Sequence, residues 1–115
     1  MLLMGRPHAS LGSGISELLV LKLLDRHEMY GYELAKAVQA NTGHAITLGE
    51  GVLYPLLHAL ELQGLLRSRR NTVAGRARIY YRATAKGQKR LARLVDQWHR
   101  TRTALDAALG DQAYA

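Results

Sequence analysis

Five arginines crowd into twelve residues of the stretch RSRRNTVAGRAR, residues 67–78, with no acidic residue among them. Guanidinium groups pair bidentately with phosphate oxygens, so Arg67, Arg69, Arg70, Arg76 and Arg78 suit contact with a nucleic-acid backbone. The plainer alternative is an edge strand protected by charge, which accounts for one or two arginines better than for five. A second constellation lies just upstream. GEGVLYPLLHALELQGLL, residues 49–66, reads as an apolar helix with Tyr54–Pro55 set into it and Glu50, Gly51 and His58 close by. Tyr54 and His58 are short, semi-rigid and hydrogen-bonding, as base-reading side chains are. Tyr54 is equally readable as a half-buried core aromatic. A third candidate is Trp98, the only tryptophan in a chain without phenylalanine. It is either the anchor of a subunit interface or a flat wall for a hydrophobic ligand.

Catalytic chemistry has no comparable footing. His8, His27, His44, His58 and His99 do not pair at metal-ligand spacing, and the chain has no cysteine to add thiolates. Carboxylates are few and scattered. There is no glycine-rich phosphate loop and no Ser–His arrangement in a hydrolase context. The expectation is a non-enzymatic protein without metal or cofactor.

Composition narrows the class further. The 115 residues are one domain's worth, and 48% hydrophobic content argues against disorder. The absence of cysteine suits a reducing cytoplasm. The apolar MLLM at the start is too short for a signal peptide or membrane span. The net charge of +7 is concentrated: residues 1–66 carry four Lys/Arg against six Asp/Glu, and residues 67–115 carry twelve against three. That asymmetry favours a polyanionic partner.

The elements that must position these residues follow from periodicity. Residues 1–12, with Gly5, Pro7, Ser10 and Gly12, read as a flexible N-terminus. Ser13 or Ser16 can cap a first helix, ISELLVLKLLDR, whose apolar residues on every side require burial on more than one face. A second helix spans about Tyr32 to Asn41, with Leu34, Ala35 and Val38 as its stripe and Gly43 beyond its end. The third helix begins near Gly51 or Val52, which sets Pro55 about one turn in, where a proline loses little. Leu53, Leu56, Leu57 and Leu60 form its inner face. The period then changes to two on both sides of a turn at Asn71–Gly75, which predicts a β-hairpin with a basic face. Thr84 can cap a fourth helix over 85–109, leaving 110–115 as a frayed tail. Leu91, Trp98 and Leu105 recur every seven residues, with Leu94, Val95 and Leu109 on or beside the same stripe. Such a seam is either a homodimer contact or ordinary packing on the chain's own core.

Helix–helix–helix–hairpin–helix is the order of a winged helix-turn-helix, whose third helix enters the major groove while the hairpin is the wing. The expected fold is therefore mainly α with a small β-hairpin. A DNA-binding domain spans 13–84 and a dimerisation helix spans 85–109. RNA binding ranks lower, because the aromatics are not interleaved with basic residues as in base-stacking platforms. A winged helix that binds a protein or ligand without DNA is the remaining alternative.

Three segments carry a family resemblance: YGYELAKAV (30–38), GVLYPLLHALELQGLL (51–66) and GRARIYYRATAKG (75–87). In that order and spacing they resemble the PadR family of bacterial transcriptional regulators, in its compact branch with a single C-terminal helix. The likeness runs from about residue 13 to 109. It implies a homodimeric repressor that binds a palindromic operator in double-stranded DNA and is released by a small molecule. It also places Tyr54, Pro55 and His58 on the recognition helix, with Arg76 and Arg78 on the wing. Trp98 resembles the helix-four tryptophan of multidrug-sensing members, which stacks planar drugs in the dimer pore. Ala59 stands where members often carry a basic residue, and Ala77 where a second adjacent arginine is common.

These readings together give an expected DNA-contacting set of Lys36, Thr47, Glu50, Gly51, Tyr54, Pro55, His58, Arg67, Arg69, Arg76 and Arg78. Trp98, Val95 and Asp96 are the expected effector site. Ile15, Leu19, Leu91, Leu94, Val95, Trp98, Leu105 and Leu109 are the expected dimer contacts.

Overall fold

The computed structural model describes the backbone of residues 2–113 and the side chains of residues 14–110. Seven elements follow one another: α1 (Leu2–Arg26), β1 (Met29–Tyr30), α2 (Gly31–Asn41), α3 (Glu50–Leu62), β2 (Leu66–Val73), β3 (Arg76–Ala83) and α4 (Ala85–Ala113). The strands form one antiparallel sheet in the order β1-β3-β2. This is a winged helix-turn-helix with a long C-terminal helix.

The first and last helices exceed their expected bounds. α1 winds from Leu2 through Gly5, Pro7, Ser10 and Gly12, against the loop expected for residues 1–12. Helix propensity is a weak prior. Leu2, Leu3, Met4, Ala9 and Leu11 favour the helix, and Pro7 removes one backbone hydrogen bond within the first two turns. α4 likewise continues through Gly110 to Ala113, past its expected end at 109.

The core gathers where α1 crosses the other elements. Val20, Leu21 and Leu24 of α1, Leu34 and Val38 of α2, and Leu53, Leu57 and Leu60 of α3 are fully or nearly fully buried. Leu66, Tyr81 and Ala83 close the sheet side, and Leu91 and Leu94 close the α4 side. α1 is thus the central helix of the domain. No buried polar or charged side chain interrupts this cluster among the described residues.

Local chemistry sets the joints. The turn between α2 and α3 winds around Thr42. Its hydroxyl donates to the Val38 carbonyl at 2.7 Å and accepts from the Ile46 N–H at 3.2 Å. Gly43 and His44 both take positive φ there. α3 closes on Gly64, whose φ of 77° allows the Leu65 N–H to return to the Leu60 carbonyl and the Gly64 N–H to reach Glu61. The hairpin turn is only two residues, Ala74–Gly75, both at positive φ as a tight I′-type connection requires. Asn71, Thr72 and Val73 therefore extend β2 rather than belonging to the turn. Thr84 caps α4 as expected: its hydroxyl accepts from the Gly87 N–H at 3.0 Å and donates to the Gly64 carbonyl at 2.6 Å.

Candidate nucleic-acid interface

α3 begins at Glu50, with Gly49 as its N-cap. The first α-type bond runs from the Leu53 N–H to the Gly49 carbonyl at 2.8 Å. Pro55 is therefore the sixth helical residue, beyond the four N–H groups that lack partners in any helix. It deprives one carbonyl, that of Gly51, of its intrahelical donor. The helix tolerates this because both residues face solvent. Gly51, Tyr54, Pro55 and His58 stand at i, i+3, i+4 and i+7, so they form a single outward stripe in the first two turns. Leu53, Leu57 and Leu60 occupy the opposite side.

Tyr54 sits between the two readings its sequence left open. It is 36% exposed. Its ring also lies so close to Gly31 that a Cβ there would stand 2.4 Å from the hydroxyl oxygen and 2.7 Å from Cε1 and Cζ. Gly31 opens α2, so the phenol sets how closely the two helices of the turn motif approach each other. His58, Glu50 and Thr47 are exposed, and Thr47 accepts a 3.5 Å hydrogen bond from the Gln39 amide.

The wing's register sorts its side chains. Pairing Arg67↔Arg82, Arg69↔Tyr80, Asn71↔Arg78 and Val73↔Arg76 puts Arg67, Arg69, Arg76, Arg78 and Arg82 on one face. Arg70, opposite Ile79, lies on the other face, with Ser68 and Leu66. Near the turn Thr72, Val73, Arg76 and Ala77 are all exposed, so the hairpin end projects beyond the core on both faces.

Two of the expected phosphate ligands are already engaged. Arg69 makes a bidentate contact with Glu28, Nε to Oε2 at 2.7 Å and Nη2 to Oε1 at 2.6 Å, and its guanidinium lies 5.2 Å from the Tyr80 ring. Arg78 stacks 4.5 Å from the Tyr30 ring. Arg69, expected to contact DNA, thus shares its charge with a carboxylate. Arg69's hydrogen bonds hold the Glu28 carboxyl below its ordinary value. Slight burial opposes them, and the charges of Arg69, Arg82 and Arg67 add to them. Sequence reasoning missed Glu28, Arg82 and the aromatic run Tyr32–Tyr30–Tyr80. Tyr30 stacks on Tyr32 at 6.4 Å and meets Tyr80 edge-on at 5.4 Å, and Lys36 stands 5.3 Å over Tyr32. The only signal in the sequence was the recurrence of tyrosine at 30, 32, 80 and 81.

The expected seam on α4 divides in two. Leu91 and Leu94 are only 6% and 7% exposed. α4 lies along α1 here, and the chain's own core takes them. Val95 packs partly on that core, and Ile15 and Leu19 on α1 are half-buried. Arg90 locks the two helices through a bidentate pair with Glu17 at 3.0 and 3.3 Å. Beyond Val95 the helix leaves the core. Trp98, Leu105 and Leu109 are 38%, 52% and 54% exposed. Asp96 is exposed and paired with Arg100 one turn on.

Among the described residues no group of three or more His, Cys, Asp or Glu is placed to hold a metal. No helix there is long and apolar enough to cross a membrane.

Comparison with known proteins agrees with this architecture. The profile of the Transcriptional regulator PadR-like family matches residues 20–93. The chain is 43% identical over 65 residues to Transcriptional regulator Rv3488 of Mycobacterium tuberculosis, a match spanning 56% of this chain and 58% of that one. It is similar to the crystal structure of a PadR family transcriptional regulator from Eggerthella lenta. That likeness has 36% identity and a TM-score of 0.70, and it covers 93% of this chain and 88% of that one. A transcriptional regulator from Clostridium thermocellum superposes with a TM-score of 0.76 at 28% identity, over 82% of this chain and 92% of that one. With the profile running from the buried part of α1 through the turn motif and wing into α4, the chain belongs to the PadR-like family of transcriptional regulators.

Proposed function

We propose that the protein is a cytoplasmic, homodimeric repressor that reads a palindromic operator in double-stranded DNA. The observation that carries this reading is the outward stripe of Gly51, Tyr54, Pro55 and His58 on the first two turns of α3. In a helix-turn-helix this is the part of the recognition helix that meets base edges. Glu50 and Thr47 flank it. Arg76 on the projecting wing, with Arg78 and Lys36, supplies phosphate contacts. The relatives' descriptions as transcriptional regulators support the same role.

The exposed apolar stripe on the outer half of α4 supports a dimer through Trp98, Leu105 and Leu109, with Ile15, Leu19 and Val95 at its margin. Two recognition helices then address half-sites about 34 Å apart, one turn of B-DNA. Two facing copies of Trp98, with Val95 and Asp96 beside them, form a cleft suited to a planar hydrophobic effector. Such a ligand acts by changing the angle between the two α4 helices and so the spacing of the α3 pair.

The test is salt-dependent DNA binding. Each phosphate contact contributes a slope of about −0.9 in log affinity against log salt. Arg76→Ala with Arg78→Ala should flatten the slope by about two units per protomer. His58→Ala should alter sequence preference more than affinity for random DNA. A slope near zero in the parent protein refutes the reading.

A further inference from the structure

β2 and β3 together carry six arginines and no acidic residue. The wing tip does not account for all of them. Arg67 and Arg82 are direct cross-strand neighbours at the base of the hairpin, and both are exposed. Like charges placed directly opposite each other on a sheet cost stability. Glu28 is the one carboxylate set among them, and Arg69 already occupies it through two hydrogen bonds.

At the base of the hairpin the opposite face of the sheet is committed to the protein. Leu66, Tyr81 and Ala83 are buried there, and the Ser68 hydroxyl donates to Glu61 of α3 at 2.5 Å. Arg67 and Arg82 therefore point away from α3. Six residue pairs separate them from the turn, roughly 20 Å along the strands. A duplex held by α3 and touched by the hairpin end does not reach them while it ends there. A longer duplex that curves past the wing does.

We propose that this outer sheet face, centred on Arg67 and Arg82, is a second phosphate-binding surface that takes the DNA flanking the operator. Duplex DNA carries a negative charge every ~1.7 Å of its axis, a density matched to closely spaced arginines on adjacent strands. Arg69, on the same face, borders the surface and becomes available as Glu28 releases it. The inference rests on the DNA-binding reading above and extends it to a segment of DNA that α3 never touches.

The experiment uses a duplex selected by the full-length protein from a random pool and trimmed to its nuclease-protected core. It is compared with the same core carrying ten unrelated base pairs on each side. The parent should bind the flanked duplex about tenfold tighter at 0.1 M salt. Arg82→Gln keeps the side-chain stem and relieves the repulsion with Arg67, so its melting temperature should not fall. That variant should bind the core like the parent and lose the gain from the flanks. Its salt slope on the flanked duplex should fall by about 0.9 units per protomer. No flank gain in the parent, a gain retained in the variant, or equal losses on core and flanked duplexes each overturn the proposal. Binding of the parent face to polyglutamate without any flank gain also overturns it, in favour of an acidic protein partner. Failure of the parent to bind any duplex refutes instead the DNA-binding reading.

Discussion

Substituting Gly87 should reverse the usual effect of replacing a helical glycine. In an exposed helix interior, Gly→Ala stabilises by roughly 1 kcal/mol, because alanine has the higher helix propensity. Gly87 lies in the first turn of α4, where the helix is laid directly on the segment that leaves α3. A Cβ there would stand 2.1 Å from the Leu65 carbonyl oxygen and 3.1 Å from its carbonyl carbon. Ordinary van der Waals contact begins near 3.4 Å, so the helix start and Leu65 would have to part by about 1.3 Å. The obstacle is backbone and cannot rotate aside. Two hydrogen bonds from Thr84 cross the same joint, from its N–H to the Leu65 carbonyl at 3.0 Å and from its hydroxyl to the Gly64 carbonyl at 2.6 Å. Overpacking costs about 1–3 kcal/mol and each weakened hydrogen bond about 0.5–1.5 kcal/mol. After the propensity gain, the net loss for Gly87→Ala spans about 1–5 kcal/mol, centred near 3 kcal/mol. For a domain of this size the central value is a fall in melting temperature of roughly 10–20 °C, measured by circular dichroism at fixed protein concentration. Gly110→Ala in the same helix is the control. No atom lies within 4 Å of its Cβ position, so that variant should match or exceed the parent. A Gly87→Ala protein as stable as the parent refutes the close-approach account of how α4 is seated.

Three further outcomes are expected. Gly31→Ala should cost little in melting temperature, since a ring rather than backbone has to move. It should nonetheless weaken specific DNA binding by displacing Tyr54 and reorienting α3, and unchanged affinity would show that the Tyr54 slot does not position the recognition helix. The lowered pKa of the Glu28 carboxyl means that its pairing with Arg69 is complete above the ordinary carboxylate range and is lost as pH falls through the lowered value. A carbon-detected titration should place the Glu28 midpoint below that of an unpaired glutamate, and Arg69→Gln should move it back up. On the proposed dimer-cleft reading, Trp98 fluorescence should be quenched by planar hydrophobic compounds, with quenching reduced by dilution that dissociates the proposed dimer. Quenching that does not depend on protein concentration would separate the ligand from the subunit interface.

The parts of the fold that rest on local periodicity were legible in the sequence. Leu53, Leu57 and Leu60 mark the inner side of α3 by spacing alone, and Thr84 and Gly43 sit where capping chemistry predicts. The parts that depend on tertiary partners were not. β1 is two residues long and has no period to read. It exists because β3 offers an edge to Met29 and Tyr30. The heptad recurrence through Leu91, Trp98 and Leu105 is real, but spacing cannot say that α1 covers its first part and leaves the rest open. The wing arginines were visible as a cluster. Their division between faces needed the register, and the hold of Glu28 on Arg69 joins residues 41 positions apart.

The turn at the end of the wing bears on the entropy of binding. Ala74 holds φ at 53°, a region where a side chain costs about 1–2 kcal/mol and where glycine would relax. A methyl group in that conformation also narrows the set of shapes open to the chain before it folds. The tip is thus stiffened when the domain forms rather than when a ligand arrives. Arg76, two residues away, is then offered from a nearly fixed base. Its ordering on contact is confined to its own side chain, about 0.5–1.5 kcal/mol, with little added from the loop that carries it.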